Sequence, residues 1–204
     1  METLRWVLAS QSPRRRALMR LFGRPFEVHP AQIEEPLPEY TARPALLGKR
    51  LAKAKAEAVA PHYTDALIIA ADTLVIIDGR VLGKPADERE AFDMLRLLSG
   101  RTHTVITALC LLLRQNGHTT HIIQDAPRSR VTFRSLSDAW IRWYIATGEP
   151  FDKAGGYGIQ EYGALLIEKV QGCYFNVVGL PLATLAKHLE TLGVWQPDSR
   201  YNPL

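Results

Sequence analysis

An unbroken apolar run, Ala66-Leu67-Ile68-Ile69-Ala70-Ala71, ends on Asp72-Thr73, and a second run, Leu74-Val75-Ile76-Ile77, follows at once. Short continuous apolar runs read as strands buried on both faces, and such strands need helices to cover them. Asp78-Gly79 is a hairpin signal, and Val81-Leu82-Gly83-Lys84-Pro85 is the return arm. The first run therefore reads as a buried strand closed by Asp72, beside a hairpin. A fold built on it must be layered.

The rest of the chain supplies the layers. Trp6-Val7-Leu8-Ala9 reads as a short buried strand. A helix ended by Gly23 follows, with Ser12 as its N-cap and Pro13 at its first position. Phe26-Glu27-Val28 is strand-like, and Pro30 to Pro38 is an acidic, proline-rich loop. Thr41 to Ala60 reads as a helix with an apolar stripe of Leu46, Leu47, Leu51, Ala54 and Ala58, and with Lys49, Arg50, Lys53 and Lys55 on its other face. Asp87 and Glu90 form a capping box for a helix to Leu98. Thr104 to Leu113 is a long strand, Asn116-Gly117 a hairpin turn, and Thr119 to Ile123 the partner strand, which Val131 to Phe133 continues. Ser137 opens a helix through Ile145, Ala164 to Val170 is a strand, and Pro181 to Leu192 is the last helix. Helices alternating with strands, plus hairpins, imply a mixed sheet with helices on its faces.

Bulk properties narrow the function classes. The chain has 204 residues, 47% of them hydrophobic, which suits one domain over residues 1–195 and an irregular tail over 196–204. A net charge of +4 is low for a dedicated nucleic-acid binder and favours small anions. Cys110 and Cys173 read as buried thiols rather than a disulfide framework, which points to a cytoplasmic protein. The N-terminus lacks signal-peptide character, and no run reaches membrane-spanning length.

Several groups carry chemistry. Ser10-Gln11-Ser12-Pro13-Arg14-Arg15-Arg16 sets hydroxyls and guanidiniums at a strand-to-helix turn. A helix N-terminus offers unpaired N–H groups, and Arg matches phosphate oxygens in bidentate fashion, so the turn reads as a phosphate site or as a capped helix with solvated arginines. Asp72 at a strand end reads as a cation ligand, as a general base, or as an Asx-type cap. Lys84, between Gly83 and Pro85, reads as a phosphate contact or a surface lysine. Glu34 and Glu35 could add metal-ligating oxygens or simply face solvent. His118 and His121 lack zinc-ligand spacing and read as strand residues. Gly155-Gly156-Tyr157-Gly158 is no dinucleotide fingerprint, because no helix pattern follows; it reads as a tight loop that delivers Gln160 to a defined place. Trp140, Trp143 and Tyr144 share one helix as core or interface residues.

Taken in order, Ser10-Gln11-Ser12-Pro13-Arg14-Arg15, Ala71-Asp72-Thr73, Gly83-Lys84-Pro85, Leu98-Ser99-Gly100-Arg101-Thr102-His103, the stretch Asp152 to Gln160, and Asn176-Val177-Val178-Gly179-Leu180-Pro181 resemble the signature of the Maf family of nucleoside triphosphate pyrophosphatases. The resemblance spans about residues 4 to 193. It implies a Maf/inosine-triphosphatase-like α/β fold: an elongated mixed sheet flanked by helices, in two lobes with a central cleft. It implies a divalent cation, Mg²⁺ or Mn²⁺, a nucleoside triphosphate substrate, a homodimer, and no membrane or stable nucleic-acid partner. By motif, Asp72 matches the catalytic proton acceptor. Ser10, Arg14, Arg15, Lys55 and Lys84 match substrate-binding positions. Arg14, Thr73 and Gln160 match the positions that set base choice, and Glu34 or Glu35 matches an acidic position near the metal bound by Asp72. The intact Asp152 to Gln160 loop resembles the dTTP/UTP branch. The alternatives are the branch acting on 7-methyl-GTP and a non-catalytic nucleotide-binding regulator, since the family is also associated with septum formation.

Overall fold

The computed structural model describes residues 4–33 and 36–197. Its strands are β1 (Arg5–Leu8), β2 (Glu27–Val28), β3 (Ala66–Ile77), β4 (Arg80–Leu82), β5 (Thr102–Gln115), β6 (His118–Asp125), β7 (Arg128–Phe133) and β8 (Ile167–Gln171). Its α-helices are α1 (Pro13–Met19), α2 (Pro44–Val59), α3 (Glu88–Leu98), α4 (Asp138–Ala146), α5 (Tyr174–Val178) and α6 (Leu182–Thr191). They build one mixed sheet in the order β2-β1-β3-β5-β7-β8, with β4 added to β3 and β6 added to β5. The α/β expectation holds.

The centre is a long antiparallel ribbon, β3 against β5, registered from Ala66 opposite Arg114 to Ile76 opposite Thr104. Each outer edge of this ribbon is shared by two strands. On the β3 edge, β1 runs parallel to Ala66–Ile69 and β4 antiparallel to Val75–Ile77. Among the described residues no strand flanks the stretch between. On the β5 edge, β7 pairs up to Ile106 and β6 from Leu109. The ribbon therefore carries a notch on each side, and the two ends of the molecule grow from it.

The notch on β5 is filled by one side chain. Asn176, fully buried, accepts the Thr107 backbone N–H at 2.9 Å and donates to the Val105 carbonyl at 3.0 Å. Its amide stands in for the missing strand, because buried backbone groups must be paired. The notch on β3 is left open and holds Asp72 and Thr73.

Four apolar clusters follow from strand alternation. On β3, Leu67, Ile69 and Ala71 face α1 and α6, and Val75 and Ile77 continue that face toward α3 and α4. On the opposite face Ala66, Ile68 and Ala70 pack under α2, and Leu74 and Ile76 meet its N-terminal half. Gly48 lets α2 settle close, since a Cβ there would lie 3.1 Å from that of Ala108.

Several expectations change. Asp72 does not end a strand; β3 runs through it, because β5 pairs continuously along its other edge. Residues 131–133 do not continue β6 but belong to β7, which pairs with the other half of β5. Residues 161–166 form a 3-10 turn, so the strand expected from Ala164 begins at Ile167. The buried face of α2 is Leu47, Gly48, Leu51, Ala52, Ala56 and Val59, whereas Leu46 is exposed. Cys110 is buried, its thiol pushed up to about 12 first by that burial, while Cys173 is only half-buried. The short helix α5 had no clear signal. Residues 198–204, most of the expected tail, lie outside the described residues, as do Glu34 and Glu35.

Candidate active site

A cleft of about 610 Å³ opens at the β3 notch. Ser10, Arg14, Arg15, Lys55, Asp72, Thr73, Lys84 and Gln160 all line it. Every described residue singled out for the site is thus in one place.

Asp72 and Thr73 leave opposite faces of β3, as neighbours on a strand must. Asp72, 8% exposed, faces α2, where Lys55 donates from Nζ to its Oδ1 at 2.5 Å. Lys55 is in phase with Leu47, Leu51 and Ala52, so it lies on the inward side of α2, not on the solvated basic face. A lysine at a core phase of an amphipathic helix was the available signal. The second carboxylate oxygen of Asp72 has no protein donor among the described residues.

Thr73 faces the other way, and its hydroxyl is engaged at 3.0 Å by Arg15 Nη2 and at 2.9 Å by Thr107 Oγ1, its cross-strand partner. Arg15 also donates from Nε to the Gly179 carbonyl at 2.8 Å and from Nη1 to Ser10 Oγ at 3.2 Å. One guanidinium therefore ties α1, β3 and the segment after α5 together. Gly179 has a φ of 119°, which allows its carbonyl to approach.

The turn before α1 forms as expected, with Ser12 as the N-cap and Pro13 at the first helical position. Ser10 Oγ already accepts the Ser12 N–H, and Ser12 Oγ accepts the Arg15 N–H. The helix start is capped by its own serines, and Ser12, Pro13 and Arg14 line the cleft. Arg16 faces away from the cleft and lines a shallow hollow with Arg20 and Arg24.

The far wall is the loop from Glu149 onward. Gly155 donates its N–H to the Gly83 carbonyl at 2.8 Å, which joins this loop to the Gly83-Lys84-Pro85 arm. Gly155 sits at φ 73°, and a Cβ would come within 2.9 Å of the Val75 side chain. Lys84 is exposed at the rim. Arg14 reaches across the cleft to Asp152 at 2.9 Å, and Lys153 Nζ meets Asp152 at 2.7 Å. Burial raises the Asp152 carboxyl, but hydrogen bonds from Lys153 and Arg14 outweigh it and leave it below the ordinary carboxylate range. Asp152 and Lys153 were overlooked as site residues, although both stand in the Asp152 to Gln160 motif.

The loop is anchored from beneath by a buried pair. His103 Nε2 meets the Tyr157 hydroxyl at 2.6 Å, and burial lowers the His103 pKa to about 4. Tyr157 is pushed up by burial as well. Both are neutral near pH 7.

The residues fit a divalent cation. Mg²⁺ takes one or two carboxylates and fills its shell with water and substrate phosphates. Asp72 offers such an oxygen, in a cleft whose other charges are mostly cationic. Among the described residues no cluster of three or more metal-ligating side chains is assembled. None of the helices among these residues is long and apolar enough to cross a membrane.

Comparison with known proteins agrees with this geometry. Residues 5–192 match the family model described as Maf-like protein. The dTTP/UTP pyrophosphatase of Moorella thermoacetica is 50% identical over 190 residues, covering 92% of this chain and 95% of that protein. The dTTP/UTP pyrophosphatase of Aquifex aeolicus is 42% identical over 191 residues, covering 94% of this chain and 97% of that protein. Among solved structures, a HAM1 protein from Coxiella burnetii shares the fold, with a TM-score of 0.53 at 17% identity over 93% of this chain and 98% of the other. With a signature that converges on one cleft and a family match along nearly its whole length, this chain belongs to the Maf family.

Proposed function

We propose that the chain hydrolyses dTTP and UTP to the nucleoside monophosphate and pyrophosphate. The observation that carries this reading is the open notch of β3: a buried carboxylate, Asp72, paired with Lys55 and facing a cleft ringed by Arg14, Arg15 and Lys84. The names of the 42–50% identical relatives support the substrate pair.

A triphosphate brings about four negative charges at neutral pH, and fixed cations in a partly dry cleft stabilise the charge that shifts toward the leaving group. Arg15 is held by three acceptors among the described residues, so it meets phosphate oxygens with little loss of side-chain freedom. Lys84 adds a point charge at the rim. Asp72 accepts a proton from water as its oxygen attacks the α-phosphorus. The bond between that phosphorus and the bridging oxygen breaks, and pyrophosphate leaves with the electron pair. Lys55 keeps Asp72 oriented. Asp72, with Glu34 or Glu35, would hold Mg²⁺ or Mn²⁺, which would supply further neutralisation of the phosphates.

The apolar stretch of the wall, with Val75, Tyr157 and Ile159, suits a base, and Gln160 can both donate to and accept from a uracil or thymine edge. The chain acts as a homodimer in this reading, which sedimentation tests as a species of twice the chain mass. The main test is pyrophosphate release from dTTP, UTP, CTP, GTP, ATP and 7-methyl-GTP with Mg²⁺ or Mn²⁺. Fast release confined to dTTP and UTP is expected. Release mainly from 7-methyl-GTP, or tight binding of every nucleotide without turnover, overturns it.

A further inference from the structure

Glu149 is a carboxylate in an expensive place. It is 8% exposed, and its Oε1 has no hydrogen-bond partner among the described residues. Burying such a group costs free energy, and it persists where the surrounding structure uses it. Its other oxygen, Oε2, accepts the backbone N–H of Tyr162 at 3.0 Å and of Gly163 at 3.3 Å. These two residues follow Gln160 and Glu161, and Glu161 adopts a φ of 53°, a left-handed conformation unusual for a side chain of that size.

The same short loop is gripped from its other end. Tyr144 Oη, on α4, accepts the Gly158 N–H at 3.1 Å. Gly158 and Gly163 lie against each other so closely that a Cβ on Gly163 would sit 2.0 Å from the Gly158 carbonyl oxygen. Residues 159–162 therefore form a closed tip with Gln160 on the cleft side and both ends fixed, one by Tyr144 and one by Glu149. The tip follows one 3-10 turn and runs into the start of the next, and such turns hold their own shape poorly. Glu149 also accepts Lys153 Nζ on its backbone carbonyl at 2.7 Å, so one residue sets both Lys153 and the tip.

We infer that Glu149 is a positioning residue that holds Gln160 in the register needed to read uracil and thymine, so that pyrimidine preference depends on a carboxylate that never touches the base. This rests on the pyrophosphatase reading above. Glu149→Ala removes the acceptor for both N–H groups, lets the 161–163 backbone relax, and moves the amide of Gln160.

The experiment compares kcat/KM for UTP and GTP in the full chain and its variants, with thermal unfolding alongside. Glu149→Ala is expected to lower the UTP value ~10-fold and leave the slow GTP value nearly unchanged, so that the ratio collapses; a hydrogen-bonding site loses discrimination when its polar groups are misplaced. Glu149→Gln keeps an amide oxygen for the two N–H groups and is expected to restore most of the ratio. Tyr144→Phe, which removes the acceptor of the Gly158 N–H and a hydroxyl that also interacts with the Glu149 carboxylate, is expected to lower the ratio in the same direction, and it decides the matter with Glu149→Gln if the Ala variant does not fold. A ratio within two-fold of wild type in both Glu149→Ala and Tyr144→Phe overturns the inference, and so does an equal fall for both nucleotides. Wild-type chain that releases no pyrophosphate from UTP instead overturns the proposed activity itself.

Discussion

The two walls of the cleft are built from different materials. The wall with Asp72, Lys55, Ser10 and Arg15 stands on the β3–β5 ribbon and the helices packed against it. The opposite wall, from Glu149 to Leu166, is a succession of 3-10 turns and glycines held by single side chains. The first wall places charge with the precision of a sheet register. The second places one amide and two charged residues through contacts that are individually replaceable. Chemistry common to every nucleoside triphosphate suits the rigid wall, and discrimination among bases suits the adjustable one.

The sharpest test of this division is Asp72→Asn. The amide cannot take up a proton from water, and it leaves the Lys55 ammonium without its charge partner. Proton transfer of this kind typically contributes ~10²–10⁴-fold, so kcat is expected to fall by about a thousand-fold for UTP and for every other nucleotide alike. The circular dichroism spectrum should match wild type, because the Asp72 side chain bonds Lys55 and no backbone group of the described residues, and the substitution leaves the β3–β5 ladder intact. A loss confined to UTP and dTTP, with other nucleotides spared, would assign Asp72 to base reading and erase the distinction between the walls.

Acid is expected to loosen the adjustable wall. His103 is neutral in the fold with a pKa of about 4, against about 6.5 unfolded. A histidine whose pKa is depressed stabilises the fold fully above its unfolded pKa, and that contribution is lost as pH falls from about 6.5 toward 4. The interval corresponds to about 3 kcal/mol. Urea unfolding at pH 7.5 and pH 4.5 should show a loss of this order in wild type and a clearly smaller one in His103→Gln, which has no proton to gain. Equal losses in both would remove His103 as the cause.

How much of this was readable in the chain follows the same division. The ordered motifs brought every described site residue except Lys55 to one cleft, because each motif is a local turn or strand whose geometry its own residues determine. What escaped depended on partners distant in sequence. Asp72 read as a strand end because a carboxylate in an apolar run usually marks one; only the pairing of β5 along the far edge of β3 carries the strand through it. The split of β5 between β6 and β7 had no local signal, and neither had the use of Asn176 as a one-residue strand. Lys55 stood in an apolar helical phase, but Ala54 and Ala58 were equally apolar and drew the stripe to the wrong side. The role of Glu149 lies in N–H groups of residues 162 and 163, which no pattern of side chains reveals.

Lys84 tests the same division from the rim. It is exposed, so it acts on the triphosphate as a screened charge. Lys84→Met is expected to lower kcat/KM by about 10- to 50-fold for all nucleotides, in line with one charge-assisted hydrogen bond to phosphate. Its arm is tied to the loop through Gly155, so the substitution also asks whether that tie transmits anything to Gln160. Proportional losses across the panel say that it does not. A changed UTP to GTP ratio would make the arm part of the discriminating wall.

The smallest effect should come from the clasp between the walls. Arg14 and Asp152 meet at 2.9 Å, with the Asp152 side chain 56% exposed. Exposed ion pairs contribute little, so Asp152→Asn should leave stability unchanged within error. The Asn keeps an oxygen that Arg14 can reach but loses the charge that fixes Arg14 and Lys153 together. The expected outcome is a rise in KM for UTP of about two- to five-fold with kcat intact, and 0.5 M salt should impose much of the same rise on wild type by screening. Because the Asp152 carboxyl lies below its ordinary range, the clasp is present above the unfolded pKa of about 4 and is released only as pH falls below it, so the effect of Asp152→Asn should vanish in strong acid and not near neutrality. A rise well beyond ten-fold, or a fall in kcat, would mean that Arg14 must be held as rigidly as Arg15, and the boundary between the two walls would then run through Asp152 rather than through the open cleft.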